Sequence, residues 1–349
     1  MRPARHNPTI AILTGLFALG LCAAAPAPTG AQHEVVFTET APLAGNAELV
    51  RRLLSPLASE QMRAALAASG KALAEQSIAL EGERFTVYVP PAPGPRGYGL
   101  LVFVPPWETA HLPPDWPPVL DRVGVIYVSA ARSGNSANIF GRRAPLAVIA
   151  VANIMARYPV DPEHVYIGGF SGGSRVAMRL ALGYPDLFRG AILDAGSDPI
   201  GEASAPLPPR ELYDRFVTNS RLVYVTGGQD IPNLEAASAS LSAMARSCMF
   251  NIDADITPHA GHEIMDGSAL AEALGQLDRR APSDPARLAA CRAGLDAKVA
   301  AALDQTRAQL AAGHADAARG ALLALDRRYG GLAAPASVDL WRASESPGR

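Results

Sequence analysis

Ser171 lies in a short glycine-rich segment whose residue types suit a nucleophile. In VYIGGFSGGSRVAMRL, residues 165–180, a strand-like run leads through Gly169, Ser171 and Gly172 into a helix-like run. A GxSxG turn between a strand and a helix is typical of a nucleophile elbow, whose strained turn exposes the serine hydroxyl. The helix N-terminus beyond it favours developing negative charge. We therefore predict Ser171 as a nucleophile; the alternative is a tight glycine turn without chemistry.

A serine nucleophile needs a base, and the base needs an orienting carboxylate. Asp230 ends the segment TGGQD, directly after the strand-like residues 222–225. Loops at the carboxyl ends of strands carry the reactive residues of parallel sheets. We predict Asp230 as the acid. The alternatives are a helix N-cap role for Asp230, with Asp194 or Asp198 as the acid because both follow an earlier strand.

The candidates for the base lie in PHAGHEI, residues 258–264. We predict His262, because a histidine that follows glycine on a loop can turn toward the serine. His259 is the alternative, either lining the site or as an ordinary surface residue. Three other histidines are expected at the surface: His111, His164 and His314.

Strand-like and helix-like runs alternate through the middle of the chain. Such alternation predicts an α/β fold in which a mostly parallel sheet carries helices on both faces. The expected strands are 84–89, 99–104, 123–128, 165–167, 191–193, 222–225 and 249–256, the last of which precedes the two candidate histidines. The expected helices are 144–158, 172–184 and 233–247. The proline-rich residues 203–210 are expected to form a surface loop beside the site.

The two ends of the chain differ from this central region. Residues 1–31 begin with basic residues, continue through an apolar stretch and reach small residues at Ala31, as expected of a cleaved export signal. The apolar stretch is shorter than the roughly 20 residues that span a bilayer, so a membrane anchor is the weaker alternative. Leu21 before Cys22 argues against a lipoprotein. We expect a periplasmic or secreted protein with no stable membrane span after signal removal.

We expect the α/β domain to span residues 32–281. Its first part, residues 47–74, is expected to be helical, because apolar residues recur there at helical spacing. Residues 282–349 are expected to form a helical C-terminal extension, with helices at about 285–312 and 315–328. This extension would serve packing or bind a protein partner.

Composition excludes several classes of function. The 349 residues carry a formal net charge of −2, which gives no basic excess for binding nucleic acid. We find no histidine and cysteine spacing typical of a metal site and no dinucleotide or phosphate-binding motif, so we expect no cofactor.

Cys248 and Cys291 remain after signal removal, and we predict that they form a disulfide in an oxidising compartment. Two buried reduced thiols are the alternative.

A family resemblance adds to these expectations. The segment VDPEHVYIGGFSGGSRVAMRLALGYPDLFRGAILDAG, residues 160–196, resembles the core of the polyhydroxybutyrate depolymerase and feruloyl esterase group of α/β-hydrolases. The resemblance extends more weakly through TGGQD and GHEI and excludes the helical extension. It implies an α/β-hydrolase fold with Ser171 as nucleophile, Asp230 as acid and His262 as base.

One departure from that group concerns the oxyanion hole. Its members carry His-Gly after the strand that supplies half of the hole, whereas this chain has Pro105 and Pro106 before Trp107. Proline has no amide hydrogen to donate, so we expect Trp107 or Glu108 to donate beside the amide of Gly172. Because a lost donor costs on the order of a hundredfold in rate, the loop predicts a slow or narrow esterase.

The sequence therefore predicts an exported serine esterase that acts on a small or polymeric ester. Two alternatives remain: a serine peptidase on the same fold, since the same three residues cleave amides, and a binding protein that keeps the fold without turnover. No sequence feature selects the ester or acyl chain.

Overall fold

A computed structural model describes residues 28–279 and 284–345 of the chain. Its centre is one eight-stranded sheet in the order β1-β2-β4-β3-β5-β6-β7-β8. β2 runs antiparallel to its neighbours β1 and β4, and the strands from β4 to β8 are mutually parallel. The strands are β1 (Gly30–Val35), β2 (Phe85–Val89), β3 (Tyr98–Val104), β4 (Val125–Ala130), β5 (Val160–Phe170), β6 (Gly190–Asp194), β7 (Arg221–Gly227) and β8 (Ile252–Thr257).

Helices cover both faces of this sheet. They are α1 (Asn46–Leu53), α2 (Pro56–Ala68), α3 (Pro117–Val123), α4 (Ala144–Arg157), α5 (Gly172–Gly183), α6 (Arg210–Asn219), α7 (Ile231–Arg246), α8 (Gly267–Asp278), α9 (Pro285–Ala311), α10 (Ala315–Tyr329) and α11 (Ala336–Glu345). α4 and α5 pack into the core on one face, and α3 and α8 pack into a second core on the other. This strand order with helices on both faces is the α/β-hydrolase fold, which confirms the predicted fold class.

The central strand β3 shows why the sheet is buried on both faces. All seven of its residues are buried. Leu100 and Val102 point into the core shared with α4 and α5, while Leu101 and Phe103 point into the core shared with α3 and α8. A strand whose side chains alternate between two cores reads as a continuous apolar run, as the sequence showed.

The predicted strands and helices of the central region are present, with shifted ends. β4 begins at Val125 because Val123 still belongs to α3, which Gly124 ends in a left-handed conformation with φ of 66°. The sequence analysis missed β1, α3, α6 and α8, and it missed α11 in the C-terminal extension. α9 and α10 lie where two extension helices were predicted.

The helical lead-in is divided and joins the C-terminal helices. Ser55 caps α2 by accepting the Ala58 N–H, and Pro56 begins that helix, so α1 and α2 are separate. Leu57 of α2 packs with Leu322 and Trp341 of the extension in a small apolar cluster. The two ends of the described chain therefore pack against one another.

The proline-rich loop, predicted at the surface, is only partly there, because Ala203 and Ser204 are exposed and the residues after them are not. Residues 205–208 are buried, and the N–H of Gly331 donates to the Leu207 carbonyl at 2.8 Å. The turn between α10 and α11 covers the loop, and the composition of the loop alone could not show this cover.

The predicted disulfide is present: Cys248, after α7, is bonded to Cys291 of α9, with Cα atoms 5.7 Å apart. It links the extension to the core of the sheet domain. The expected boundary between residues 281 and 282 falls outside the described residues.

The predicted export signal at residues 1–31 also lies almost wholly outside the described residues. Its last two residues belong to β1, where Gly30 pairs with Val89 and Ala31 with Tyr88. Cleavage after Ala31 would therefore divide this strand. In the described part of the chain one segment, Ile139–Arg157, is long and apolar enough to cross a membrane, but 61% of it is buried inside the molecule as the core helix α4 and the turn before it.

Candidate active site

Ser171 lies in the sharp turn between β5 and α5. Its backbone has φ of 54° and ψ of −120°, a strained conformation that non-glycine residues rarely adopt. The Ser171 N–H donates to the Asp194 carbonyl at 2.8 Å, which ties the turn to the end of β6. A side chain at Gly173 would collide with the Val104 carbonyl, since a Cβ there would lie 2.8 Å from its carbon. The elbow predicted from the sequence is thus formed by close backbone packing.

The three residues predicted to act together lie within hydrogen-bond distance of one another. His262 Nε2 is 3.0 Å from Ser171 Oγ, and His262 Nδ1 is 2.6 Å from Asp230 Oδ2. The His262 side chain is 45% exposed, whereas the Asp230 side chain is 5% exposed. This arrangement can take the proton of a serine hydroxyl onto an oriented imidazole.

Asp230 is held in its ionised form. Burial raises the pKa of this carboxyl, but hydrogen bonds from His262 and Asn233 outweigh burial and leave the pKa below its usual value. A buried carboxylate in this state can stabilise positive charge on the neighbouring imidazole. Asp230 is also the N-cap residue of α7, so its position fits the N-cap alternative, while its contact with His262 fits the predicted role as the acid.

Asn233 is a site residue that the sequence analysis missed. Its Nδ2 donates to Asp230 Oδ2 at 2.8 Å and lies 3.1 Å from His262 Nδ1. Arg175 Nη2 donates to Asn233 Oδ1 at 3.3 Å, which fixes the orientation of the amide. An asparagine three residues after an aspartate at a helix start reads as ordinary capping sequence, so no local signal marked it.

The alternative acids lie elsewhere. Asp194 is 2% exposed, and its Oδ2 accepts the Met265 N–H at 2.9 Å. Burial raises the pKa of Asp194 to about 8, a rise that the Met265 hydrogen bond opposes and the charge of Asp230 reinforces. Asp198 forms ion pairs with Arg175 and Arg179. Neither carboxylate is in hydrogen-bond contact with His262 in the described part of the chain.

The other histidines are arranged differently from His262. His259 is exposed, as its surface alternative requires. His164, expected at the surface, is half-buried between Asp161 and Asp278, with its ring nitrogens 2.7 and 2.6 Å from them. His111 is exposed and its ring stacks on Trp107 at 4.6 Å between centroids.

The predicted oxyanion residues lie beside the elbow. Gly172 is the first residue of α5, so its N–H has no partner within the helix. The Trp107 ring lies 5.9 Å from the ring of Phe170, the residue before the nucleophile. Within residues 28–279 and 284–345 the Trp107 N–H donates to no other group. Neither amide has an acceptor among these residues, and the oxyanion hole formed by the two amides stays a prediction.

Within the described residues, no group of three or more His, Cys, Asp or Glu side chains is arranged to hold a metal ion.

No protein-family model matches the chain. A stretch of 58 residues is 43% identical to a Nocardia uniformis subsp. tsuyamanensis protein named "Putative esterase NocK"; it covers 16% of this chain and 17% of that protein.

Three solved structures resemble part of the chain. An S-formylglutathione hydrolase of Staphylococcus aureus aligns with a TM-score of 0.44 and 12% identity, over 56% of this chain and 92% of its own. A ferulic acid esterase aligns with a TM-score of 0.42 and 18% identity, over 56% of this chain and 91% of its own. An S-formylglutathione hydrolase of Agrobacterium tumefaciens aligns with a TM-score of 0.42 and 15% identity, over 58% of this chain and 93% of its own. By its own strand order and its strained serine turn, the chain has the α/β-hydrolase fold.

Proposed function

We propose that the protein is a serine hydrolase that cleaves a carboxylic ester through an acyl-enzyme on Ser171. The observation that carries this proposal is the chain of contacts Ser171 Oγ to His262 Nε2 at 3.0 Å and His262 Nδ1 to Asp230 Oδ2 at 2.6 Å. The strained turn at Ser171 and the free amide of Gly172 supply the other two parts that acyl transfer needs, an exposed nucleophile and a place for negative charge.

The proposed reaction proceeds in two halves. Ser171 Oγ attacks the ester carbonyl carbon while its proton passes to His262 Nε2, and the carbonyl oxygen becomes an oxyanion beside the amide of Gly172. The carbon–oxygen bond to the alcohol then breaks, and His262 returns the proton to the departing alcohol. Water repeats the sequence on the acyl-enzyme, releasing the acid and restoring the Ser171 hydroxyl. Asp230 keeps its negative charge throughout and holds the imidazole.

The matched stretch of NocK, whose name includes "esterase", agrees with ester rather than amide cleavage. The exposed fraction of His262, 45%, leaves its ring open to solvent. Such an opening accommodates either a small ester or a chain end of a polymer. The depolymerase-like group suggested by residues 160–196 remains part of the proposal and sets the first polymer to test.

The test is hydrolysis of a nitrophenyl ester series, from acetyl to long acyl chains, by the wild type and by Ser171→Ala. We expect turnover by the wild type and its loss in the variant, together with labelling of Ser171 by a fluorophosphonate probe. Turnover that survives in Ser171→Ala would contradict the proposal. Labelling without ester turnover, with cleavage of a peptide substrate, would favour a peptidase; labelling with no turnover of either would favour a binding protein.

We also propose that the protein is exported, to the periplasm or beyond the cell, after removal of about residues 1–31. The disulfide between Cys248 and Cys291 supports this proposal, since such bonds persist in oxidising compartments. Cell fractionation followed by mass measurement of the mature N-terminus tests it. A full-length chain retained in the cytoplasm would contradict export.

A further inference from the structure

Asn135 lies in the turn after β4, next to the loop that carries Trp107. Its backbone N–H donates to the Pro106 carbonyl at 2.9 Å, and the Arg132 N–H donates to the Glu108 carbonyl at 2.6 Å. Arg143, buried, donates through Nη2 to the Pro105 carbonyl at 2.8 Å. Residues 132–143 therefore fix the proline-containing loop in place beside the elbow.

The side chain of Asn135 reaches further than its backbone and lies against the nucleophile elbow. A Cβ built on Gly172 would meet Asn135 Oδ1 first, and it would lie 2.8 Å from Asn135 Cγ and 3.0 Å from Asn135 Nδ2. The Asn135 residue is exposed, and its side-chain amide makes no hydrogen bond to any residue of the described ranges. Because no hydrogen bond fixes this amide, a turn of about 180° about its Cβ–Cγ bond exchanges Oδ1 and Nδ2 and brings the donor to the side of Gly172, whose N–H is the predicted oxyanion donor.

The distance between the two donors permits them to share one acceptor. In standard geometry the nitrogen and the Cβ position of a residue are about 2.5 Å apart, so Asn135 Nδ2 lies at most about 5.5 Å from Gly172 N. Two donors that are each about 2.9 Å from one oxygen can be up to about 5.8 Å apart. These distances therefore allow one oxygen to accept from both the Gly172 amide and Asn135 Nδ2.

We propose that the side-chain amide of Asn135 is an additional donor of the oxyanion hole. It would act with the amides of Gly172 and Trp107 and would replace the donor that Pro105 and Pro106 cannot supply. A neutral amide suits this role, because its N–H₂ donates to developing negative charge without holding a charge of its own in the resting site. The inference rests on the proposed function, since an oxyanion forms only if Ser171 attacks a carbonyl.

The experiment compares four variants on the best nitrophenyl ester of the wild type: Asn135→Ala, Asn135→Asp, Asn251→Ala and Asn251→Asp. Asn251 lies at the amino end of the edge strand β8, whereas Ser171 follows the carboxyl end of β5, and Asn251 therefore serves as a matched asparagine away from the site. We expect Asn135→Ala to lower kcat by about a hundredfold or more with little change in KM. Asn135→Asp should lower kcat at least as far, because a carboxylate repels the oxyanion. The Asn251 variants should keep the wild-type kcat.

The outcomes separate this inference from the proposed function. If the wild type turns over, Ser171→Ala does not, and both Asn135 variants match the wild type, the inference is wrong and the proposed function stands. If the wild type shows neither turnover nor labelling of Ser171, both fail. Asn135→Asp keeps the size of the side chain, so it carries the test if Asn135→Ala unfolds. An equal fall of kcat in the Asn251 variants would also overturn the inference.

Discussion

At the scale of single residues, the site depends on how Asp230 is held. Its Oδ2 atom is 2.6 Å from His262 Nδ1 and 2.8 Å from Asn233 Nδ2, so one carboxylate oxygen serves both partners. Arg175 fixes the Asn233 amide from the other side. Asn233 therefore holds the Asp230 carboxylate in the orientation in which it contacts His262, which in turn contacts Ser171. We regard Asn233 as a positioning residue.

We expect Asn233→Ala to lower kcat by about ten- to a hundredfold with little change in KM. A hydrogen bond to a charged group contributes about 1.5–3 kcal/mol, and each 1.4 kcal/mol or so of lost transition-state stabilisation is tenfold in rate. Asn233→Asp should also raise the pKa of Asp230 through like charge. Steady-state kinetics on a nitrophenyl ester measure both variants, with Glu235→Ala, an exposed residue of the same helix, as control. An unchanged kcat in Asn233→Ala would show that Asp230 needs no second donor.

At the scale of elements, the end of β6 links the two sides of the site. The Asp194 carbonyl accepts the Ser171 N–H, and the Asp194 side chain accepts the N–H of Met265, three residues after His262. Met265 is itself buried, and its carbonyl accepts Trp116 Nε1 at 3.2 Å. One residue of β6 thus fixes both the nucleophile turn and the loop that carries the base.

The buried Asp194 carboxyl gives a pH dependence to stability. Its folded pKa of about 8 exceeds the unfolded value of about 3.9. The folded state then binds more protons than the unfolded state between these values, so this group's contribution to the free energy of unfolding falls as pH rises from about 4 to about 8. Asp194→Asn cannot ionise, and we expect its free energy of unfolding to fall less over this range. Urea unfolding at several pH values measures the difference; parallel profiles for wild type and variant would contradict the expectation.

At the scale of the whole molecule, the C-terminal helices pack against α2 and against the sheet domain. Asp326 of α10 is 5% exposed; it accepts the Ser55 hydroxyl and the Leu57 N–H, the latter at 3.1 Å. Cys291 of α9 is bonded to Cys248 behind the sheet. The C-terminal extension is therefore held to the rest of the molecule by both a covalent bond and buried polar contacts.

Removal of the Asp326 side chain should destabilise the protein. Asp326→Ala leaves the buried Leu57 N–H without its partner, which costs about 1–3 kcal/mol. Asp316→Ala on the same helix removes a carboxylate that is 97% exposed, and we expect a change within about 0.5 kcal/mol. Chemical unfolding of both variants provides the comparison. Equal stabilities of the two variants would mean that the contact with α2 contributes nothing.

Loss of the disulfide should lower stability without abolishing activity. The bonded cysteines are 43 residues apart, and such a cross-link contributes about 2–4 kcal/mol, chiefly by restricting the unfolded chain. The double variant Cys248→Ala, Cys291→Ala should lose this amount in urea unfolding while its kcat stays close to that of the wild type, because neither cysteine contacts the site. A wild type that unfolds identically with and without a reducing agent would contradict the prediction.

The sequence alone determined the elements that rest on local pattern. The strand–GxSxG–helix segment predicted the turn at Ser171 because close packing of glycines and a helix start are encoded within a few residues. The apolar runs predicted β3 and β4 because strands buried on both faces are continuously apolar. Asp230 and His262 were predicted from their place after strands, and the structure brings them to Ser171.

Only the tertiary structure decided which residues support that arrangement. Asn135 and Asn233 lie 36 and 62 positions from Ser171 along the chain, and in sequence each is an ordinary polar residue near a turn. The buried proline-rich loop likewise depends on Gly331, which follows it by more than a hundred residues. Contacts between distant loops form when the carboxyl ends of parallel strands meet at one edge of the sheet and helices pack over them. A local pattern of residues does not predict which distant loops will come into contact.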